Sequence, residues 1–220
     1  MKKGVFYGVG VGPGDPELVT LKAARLMREA DAIALPDGGS AGAAERIAAE
    51  WIAGKPVLKL ETPMRGGRED WRAAHAAAAE KLLQWLERYP TMVYPVLGDP
   101  GVFASSSYLH RLVAPKHPCE IVPGVPAMCA AAAKLGVPLC EKDETLTVEG
   151  EWRGGALPGG TSVWMKCARS LSDMRAALAG REAYVVRNLG MDGEFAAPLD
   201  APEPPGTSYF TTVIVKNPEK

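Results

Sequence analysis

Short apolar runs alternate with longer stretches of helical periodicity through Leu135. Residues 5–10, 32–35, 57–60, 92–96 and 120–122 have the length and composition of strands. Between them, residues 18–29, 43–52, 69–87 and 102–113 place apolar side chains at helical intervals, with Trp71, Leu82, Leu83 and Leu86 marking the longest helix. An alanine-rich helix follows Pro123-Gly124 and ends near Leu135-Gly136. Strands alternating with helices predict an α/β fold, with a mostly parallel sheet covered by helices on both faces.

The pattern changes after Gly136-Val137-Pro138. Residues 146–148, 162–165, 183–187 and 209–215 read as strands, with one clear helix between them at 171–178. Glycine and proline clusters at 154–160 and 202–206 mark turns. This predicts a hinge near 136–143, an N-terminal α/β domain over 1–138 and a smaller α+β domain over 139–220. A small-molecule cleft is expected between them. The run ending at Val215 makes a final strand, so the chain is expected to be close to complete there.

Composition narrows the function. The 220 residues carry 25 basic and 26 acidic side chains, a balance with no electrostatic footprint for nucleic acid. No apolar run approaches the ~20 residues that cross a bilayer, and the N-terminal apolar run is interrupted by glycines and prolines rather than built as a leader. Cys119, Cys129, Cys140 and Cys167 are too widely spaced for a zinc site, and His75, His110 and His117 form no metal-binding pair. Free thiols in a reducing, cytoplasmic setting account for the cysteines. No metal and no covalent nucleophile is expected; Ser105-Ser106-Ser107 is not a nucleophile elbow.

The chemistry lies in small-residue loops. Gly8-Val9-Gly10-Val11-Gly12-Pro13-Gly14-Asp15-Pro16 follows the first strand and precedes a helix, the setting of a dinucleotide loop. The spacing fails, because Pro13 and Asp15 stand where the third glycine belongs. No Gly-Lys-Ser/Thr follows, and Pro13 and Pro16 remove donors that a phosphate cradle would use. A tight turn without a ligand accounts for this loop alone equally well. Leu97-Gly98-Asp99-Pro100-Gly101-Val102-Phe103 and Val122-Pro123-Gly124-Val125-Pro126-Ala127 repeat the arrangement at two further strand ends. In a doubly wound sheet all three open on the edge where ligands bind. Asp99 could bind a ligand amine or hydroxyl, or close its own turn.

Taken together, Gly10 to Ala23, Gly98-Asp99-Pro100, Val122-Pro123-Gly124 and Leu135-Gly136-Val137-Pro138-Leu139 resemble the signatures of the tetrapyrrole methylase family, in order and spacing and over nearly the whole chain. Within it, Leu60-Glu61-Thr62-Pro63-Met64-Arg65, Ser107-Tyr108-Leu109, residues 139–148 and Tyr209 to Val213 are most similar to precorrin-2 (cobalt-factor II) C20-methyltransferases of corrin biosynthesis. The glycine-rich stretches 38–42 and 64–68 depart from that pattern, and Leu35-Pro36 with Asp37 following stands where relatives acting on uroporphyrinogen carry an aspartate.

The resemblance implies a homodimer of two-domain subunits that bind S-adenosylmethionine and methylate C20 of the acceptor. It places Pro13, Leu97, Gly98, Asp99, Val102, Phe103, Pro126, Ala127, Met165, Asn188 and Leu189 at the cofactor. Core packing alone would account for Met165. Methyl transfer to an electron-rich carbon needs alignment more than acid–base groups. Asp37 is the candidate base for removing the C20 proton. The acceptor carries eight carboxylates, for which Arg65 and Arg68 are the candidate receptors, with Lys166 and Arg187 as further ones. Two other readings stay open: a family methylase with a different acceptor, and a non-catalytic S-adenosylmethionine-binding protein.

Overall fold

The computed structural model describes residues 3–37, 41–61 and 68–217. Two compact units divide the chain, residues 1–126 and residues 127–220.

In the first unit, β1 (Val5–Gly10), β2 (Ala32–Asp37), β3 (Val57–Glu61), β4 (Thr91–Val96) and β5 (Cys119–Val122) form one parallel sheet in the order β3-β2-β4-β1-β5. Helices α1 (Leu21–Glu29) and α2 (Ala41–Ile52) cover one face, where Leu26, Met27, Ile47 and Ala48 pack against Val9, Ile33 and Val93. Helices α3 (Arg68–Leu86) and α4 (Ser106–Val113) cover the other, where Leu82, Leu86 and Leu109 pack against Phe6, Met92 and Tyr94. The central strands β2 and β4, buried on both faces, are almost continuously apolar, whereas edge strand β3 alternates buried Leu58 and Leu60 with exposed Val57, Lys59 and Glu61.

Two starts differ from the expected ones. The first helix begins at Leu21, capped by the Thr20 hydroxyl, which accepts from the Ala23 amide. Ahead of it Pro16–Leu18 makes a separate 3-10 turn capped by Asp15. The expected helix over 102–113 begins at Ser106, since Phe103 has φ of 48° and cannot be helical.

The sheet opens between β2 and β4. Their pairing stops after Ile33↔Val93, while β2 stays paired to β3 through Asp37↔Glu61 and β4 to β1 through Gly10↔Val96. Backbone direction alternates along a strand. The Asp31 amide donates to the Thr91 carbonyl, and the Val11 amide to the Val96 carbonyl, so the Pro95 nitrogen faces β2. Likewise the Ile33 amide donates to the Pro56 carbonyl on the β3 side, so the Pro36 nitrogen faces β4. Each proline puts its missing donor where no ladder bond is made.

The second unit has α5 (Ala127–Leu135), β6 (Leu146–Glu149), β7 (Gly160–Met165), α6 (Leu171–Ala177), β8 (Glu182–Arg187), β9 (Phe195–Pro198) and β10 (Thr211–Asn217). Its sheet runs β6-β7-β10-β8-β9, antiparallel except for β6 with β7. Ala131 and Ala132 of α5 pack on Val163, Val186 and Ile214; Met174 and Leu178 pack on the opposite face with Trp164, Val185 and Val213. The boundary expected near 138 put α5 with the first unit, whereas its apolar face packs in the second. Strand β9, which carries no strong apolar alternation, is an additional element. No helix among the described residues is long and apolar enough to cross a membrane.

Candidate functional site

The strand order reverses between β4 and β1: the chain leaves β1 for α1 on one face and leaves β4 for α4 on the other. That switch point, at the carboxyl ends of the strands, is where open α/β sheets bind ligands. Here the loops after β1 and β4 are bridged, the Gly12 amide donating to the Gly98 carbonyl at 3.3 Å and the Gly98 amide to the Gly12 carbonyl at 2.7 Å. Both residues have left-handed backbones, with φ of 76° and 72°, which glycine adopts without strain.

The loop after β5 closes against the other two. A Cβ on Gly10 would stand 2.5 Å from the Gly124 nitrogen and 2.7 Å from the Gly98 oxygen; one on Gly124 would stand 2.3 Å from that oxygen. Three backbones therefore meet without side chains between them. Asp99 clasps the group: Oδ1 accepts from the Gly101 amide at 2.6 Å and Oδ2 from the Gly124 amide at 2.9 Å. Its carboxylate closes its own turn and holds the neighbouring loop, the alternative that sequence left open.

The other residues on these loops divide by exposure. Pro13 is buried beside the bridge, and Leu97 packs its side chain against the Val9 and Val11 cluster. Val102 is half-buried, while Phe103 is exposed with its φ of 48°. Strain of this kind in a bulky residue gathers at ligand-binding positions. Pro126 closes the first unit and Ala127 opens α5, both half-buried. Asp37 ends β2 as an exposed carboxylate whose Cα pairs with Glu61. Arg65 lies outside the described residues; Arg68 opens α3, and its side chain lies outside them too.

In the second unit the expected residues also gather at one sheet end. Met165 ends β7 opposite Thr212 and packs partly against the Val163 and Ile214 cluster. The Asn188 amide donates to the Phe210 carbonyl at 3.0 Å. The Asn188 side chain is committed: Nδ2 donates to the Asp192 carbonyl, and Oδ1 accepts from the Ser208 hydroxyl. Asn188 and Lys166 are left-handed, with φ of 51° and 63°, and the Lys166 ammonium lies 5.5 Å from the centre of the Tyr209 ring. Leu189 is half-buried against the same core. Glu194 braces the turn, accepting from the Gly190 amide at 2.6 Å and pairing with Lys134 of α5. These bonds hold its carboxyl below the ordinary range, the Lys134 bond most strongly.

Arg187 is not an open carboxylate receptor. It is 6 % exposed and donates to the carbonyls of Gly206, at 2.8 Å, and Pro204, at 3.2 Å, with Glu203 at 3.6 Å. Both of its terminal nitrogens are spent on the loop before β10. Burial also pushes the Cys119 thiol up to about 11 and the Cys167 thiol up to about 12, so neither supplies a thiolate at neutral pH.

Sequence reasoning missed the inter-loop role of Gly10 and Gly124, and the ring cluster of Trp71, His75 and Tyr108. The first has no local signal, because the close approach joins residues far apart in the chain. For the second, the Trp71–His75 spacing on one helix was available.

The family model for tetrapyrrole (corrin/porphyrin) methylases matches residues 5–202. The cobalamin biosynthesis protein CobIJ of Mycobacterium tuberculosis H37Rv is 31 % identical over 97 % of this chain and 46 % of its own length, so the chain spans about half of that relative. A precorrin-2 C(20)-methyltransferase of Sinorhizobium is 29 % identical, covering 96 % of this chain and 95 % of the relative. Among solved structures, a uroporphyrin-III C-methyl transferase from Thermus thermophilus complexed with S-adenosylhomocysteine superposes with a TM-score of 0.63 at 26 % identity, covering 97 % of this chain and 92 % of that one.

Proposed function

Because the chain belongs to the tetrapyrrole methylase family, we propose that it transfers a methyl group from S-adenosylmethionine to C20 of precorrin-2 or cobalt-factor II, in corrin biosynthesis. The observation that carries the methylase chemistry is the side-chain-free junction of Gly10, Gly98 and Gly124 at the sheet's switch point. A Cβ at Gly10 or Gly124 would meet the backbone of another loop, so the junction fixes the three loops against one another and sets where the residues around them stand. The likeness to a C20-methyltransferase along nearly the full length of both chains supports this acceptor among those of the family.

The residues present fit the donor. Pro13, Leu97, Gly98, Val102, Phe103 and Pro126 would hold it through backbone and apolar contacts. Asp99 acts one step back, its side chain fixing the loops that carry those contacts. S-adenosylmethionine supplies an already activated methyl group, so the chain's work is alignment and exclusion of water, for which positioning can contribute about 7–11 kcal/mol. Asp37, an exposed carboxylate at the opening between β2 and β4, is the proposed acceptor of the C20 proton. Arg65 and Arg68 are the proposed carboxylate receptors. The active form is proposed to be a cytoplasmic homodimer.

Anaerobic incubation with S-adenosylmethionine and, in parallel, precorrin-2 or cobalt-factor II tests the reading, with mass spectrometry and location of the new methyl. One methyl at C20 on either acceptor is expected. Bound S-adenosylhomocysteine with no methyl on either acceptor overturns the assignment of C20 and directs the search to other family acceptors.

A further inference from the structure

Helices α3 and α4 each follow a strand of the parallel sheet, so their first turns lie at the sheet's carboxyl edge. A ring cluster joins them there. Trp71, in the first turn of α3, meets Tyr108, in the first turn of α4, edge to face with centroids 4.4 Å apart. His75 stacks under Trp71 at 4.1 Å and meets Tyr108 at 5.7 Å. The histidine is 2 % exposed, and its Nδ1 donates to the Trp71 carbonyl at 2.8 Å, which locks the ring as a floor. Tyr108 is 38 % exposed, and the Arg111 guanidinium lies 4.7 Å from its ring centre. Arg111 has no carboxylate partner among the described residues.

The sequence around this cluster, Ser107-Tyr108-Leu109, divides its roles between core and surface. Leu109 is fully buried against Phe6 and Tyr94, and the Ser107 hydroxyl donates to the Ala104 carbonyl. The Tyr108 ring has one side on Trp71 and His75 and stays partly exposed on the other. Five residues before it, exposed Phe103 stands on the strained loop after β4. A rigid, partly exposed ring pair with an arginine uncommitted to any carboxylate among the described residues matches an extended unsaturated ring that carries carboxylates.

We propose that Trp71, Tyr108 and Arg111 form the wall that selects the methyl acceptor, the rings packing against its macrocycle and Arg111 taking one of its carboxylates. The inference rests on the tetrapyrrole acceptor proposed above and goes beyond it by naming the specificity-determining residues.

Uroporphyrin III, an octacarboxylate of this class, is the probe, with its octamethyl ester as the uncharged control. Its affinity is measured for the full chain and for Trp71→Leu, Tyr108→Leu, Tyr108→Phe and Arg111→Gln, alongside S-adenosylhomocysteine affinity and oligomeric state. Trp71→Leu and Tyr108→Leu are expected to weaken uroporphyrin roughly tenfold, as loss of a ring contact should, with S-adenosylhomocysteine binding unchanged and Tyr108→Phe close to wild type. Arg111→Gln is expected to reduce the preference for the free acid over the ester. Wild-type uroporphyrin affinity in all the variants overturns the wall and leaves the acceptor reading standing. A change of oligomeric state in Tyr108→Leu without a change of affinity assigns the ring to a subunit contact and overturns it too. If the unaltered protein binds S-adenosylhomocysteine but no uroporphyrin, the acceptor reading falls and the wall with it.

Discussion

The Asp99 carboxylate accepts the Gly124 amide at 2.9 Å, joining the loop after β4 to the loop after β5 across 25 positions of sequence. Its other oxygen closes the turn to Gly101. One short acid therefore sets the spacing of two loops proposed to carry the methyl donor. Asp99→Ala is expected to lose both bonds, at about 1.5–3 kcal/mol each for hydrogen bonds to a charged group. S-adenosylhomocysteine affinity should fall in parallel. Titration calorimetry with thermal unfolding checks this; unchanged affinity would remove Asp99 from the positioning role.

Gly124 and Gly8 offer a matched pair. A Cβ on Gly124 meets the Gly98 carbonyl at 2.3 Å and the Gly10 Cα at 2.8 Å, all backbone, whereas one on Gly8 meets nothing within 4 Å. Gly124→Ala should cost at least about 1–3 kcal/mol, the usual cost of overpacking, and weaken the cofactor. Gly8→Ala should be neutral or mildly stabilising. Urea unfolding of the two variants gives the comparison directly.

Glu194 carries a pH dependence. Its folded carboxyl is held below the ordinary 4.5 by Lys134 and then by the Gly190 amide. A lowered folded value contributes stability that is fully present above the unfolded value and lost as pH falls through the folded one. Glu194→Gln should therefore be less stable than wild type at pH 7, by about 0.5–1 kcal/mol for a partly exposed pair. The difference should vanish in acid, below the folded value. Glu144, lowered by its bond to Lys216, should act in the same sense. Urea midpoints at pH 7 and in acid report both.

Arg187→Met separates structure from recognition. Loss of the bonds to Gly206 and Pro204 should destabilise the protein by about 1–3 kcal/mol. The Michaelis constant for the tetrapyrrole should not change. A rise in that constant without a fall in melting temperature would return Arg187 to the site.

Asp37→Asn tests proton removal. If Asp37 takes the C20 proton, turnover should fall about 10²–10⁴-fold, the usual range for general-base catalysis, with S-adenosylhomocysteine affinity unchanged. Wild-type turnover in this variant would assign the proton to another acceptor.

The sequence by itself determined the order of strands and helices in the first unit, because its central strands, buried on both faces, must be nearly continuously apolar and the helices between them must repeat at helical intervals. It also determined that three glycine-rich loops stand at strand ends. It left open what Asp99 does, since a turn and a ligand contact use the same residue type. Only the tertiary structure decided that. The bond to Gly124, the Gly12–Gly98 bridge, and the pairing of α5 with the second sheet all join residues distant along the chain. Tertiary structure also turned Arg187 inward, because the carbonyls that hold it arrive on a loop whose course no local pattern encodes. Pro36 and Pro95 show the same division: Pro95 fell inside an expected strand and Pro36 just past the end of one, but their facing across an opened sheet depends on strand order. Periodicity is a local property and is written along the chain, whereas burial of a charge and contact between loops depend on which elements the fold brings together.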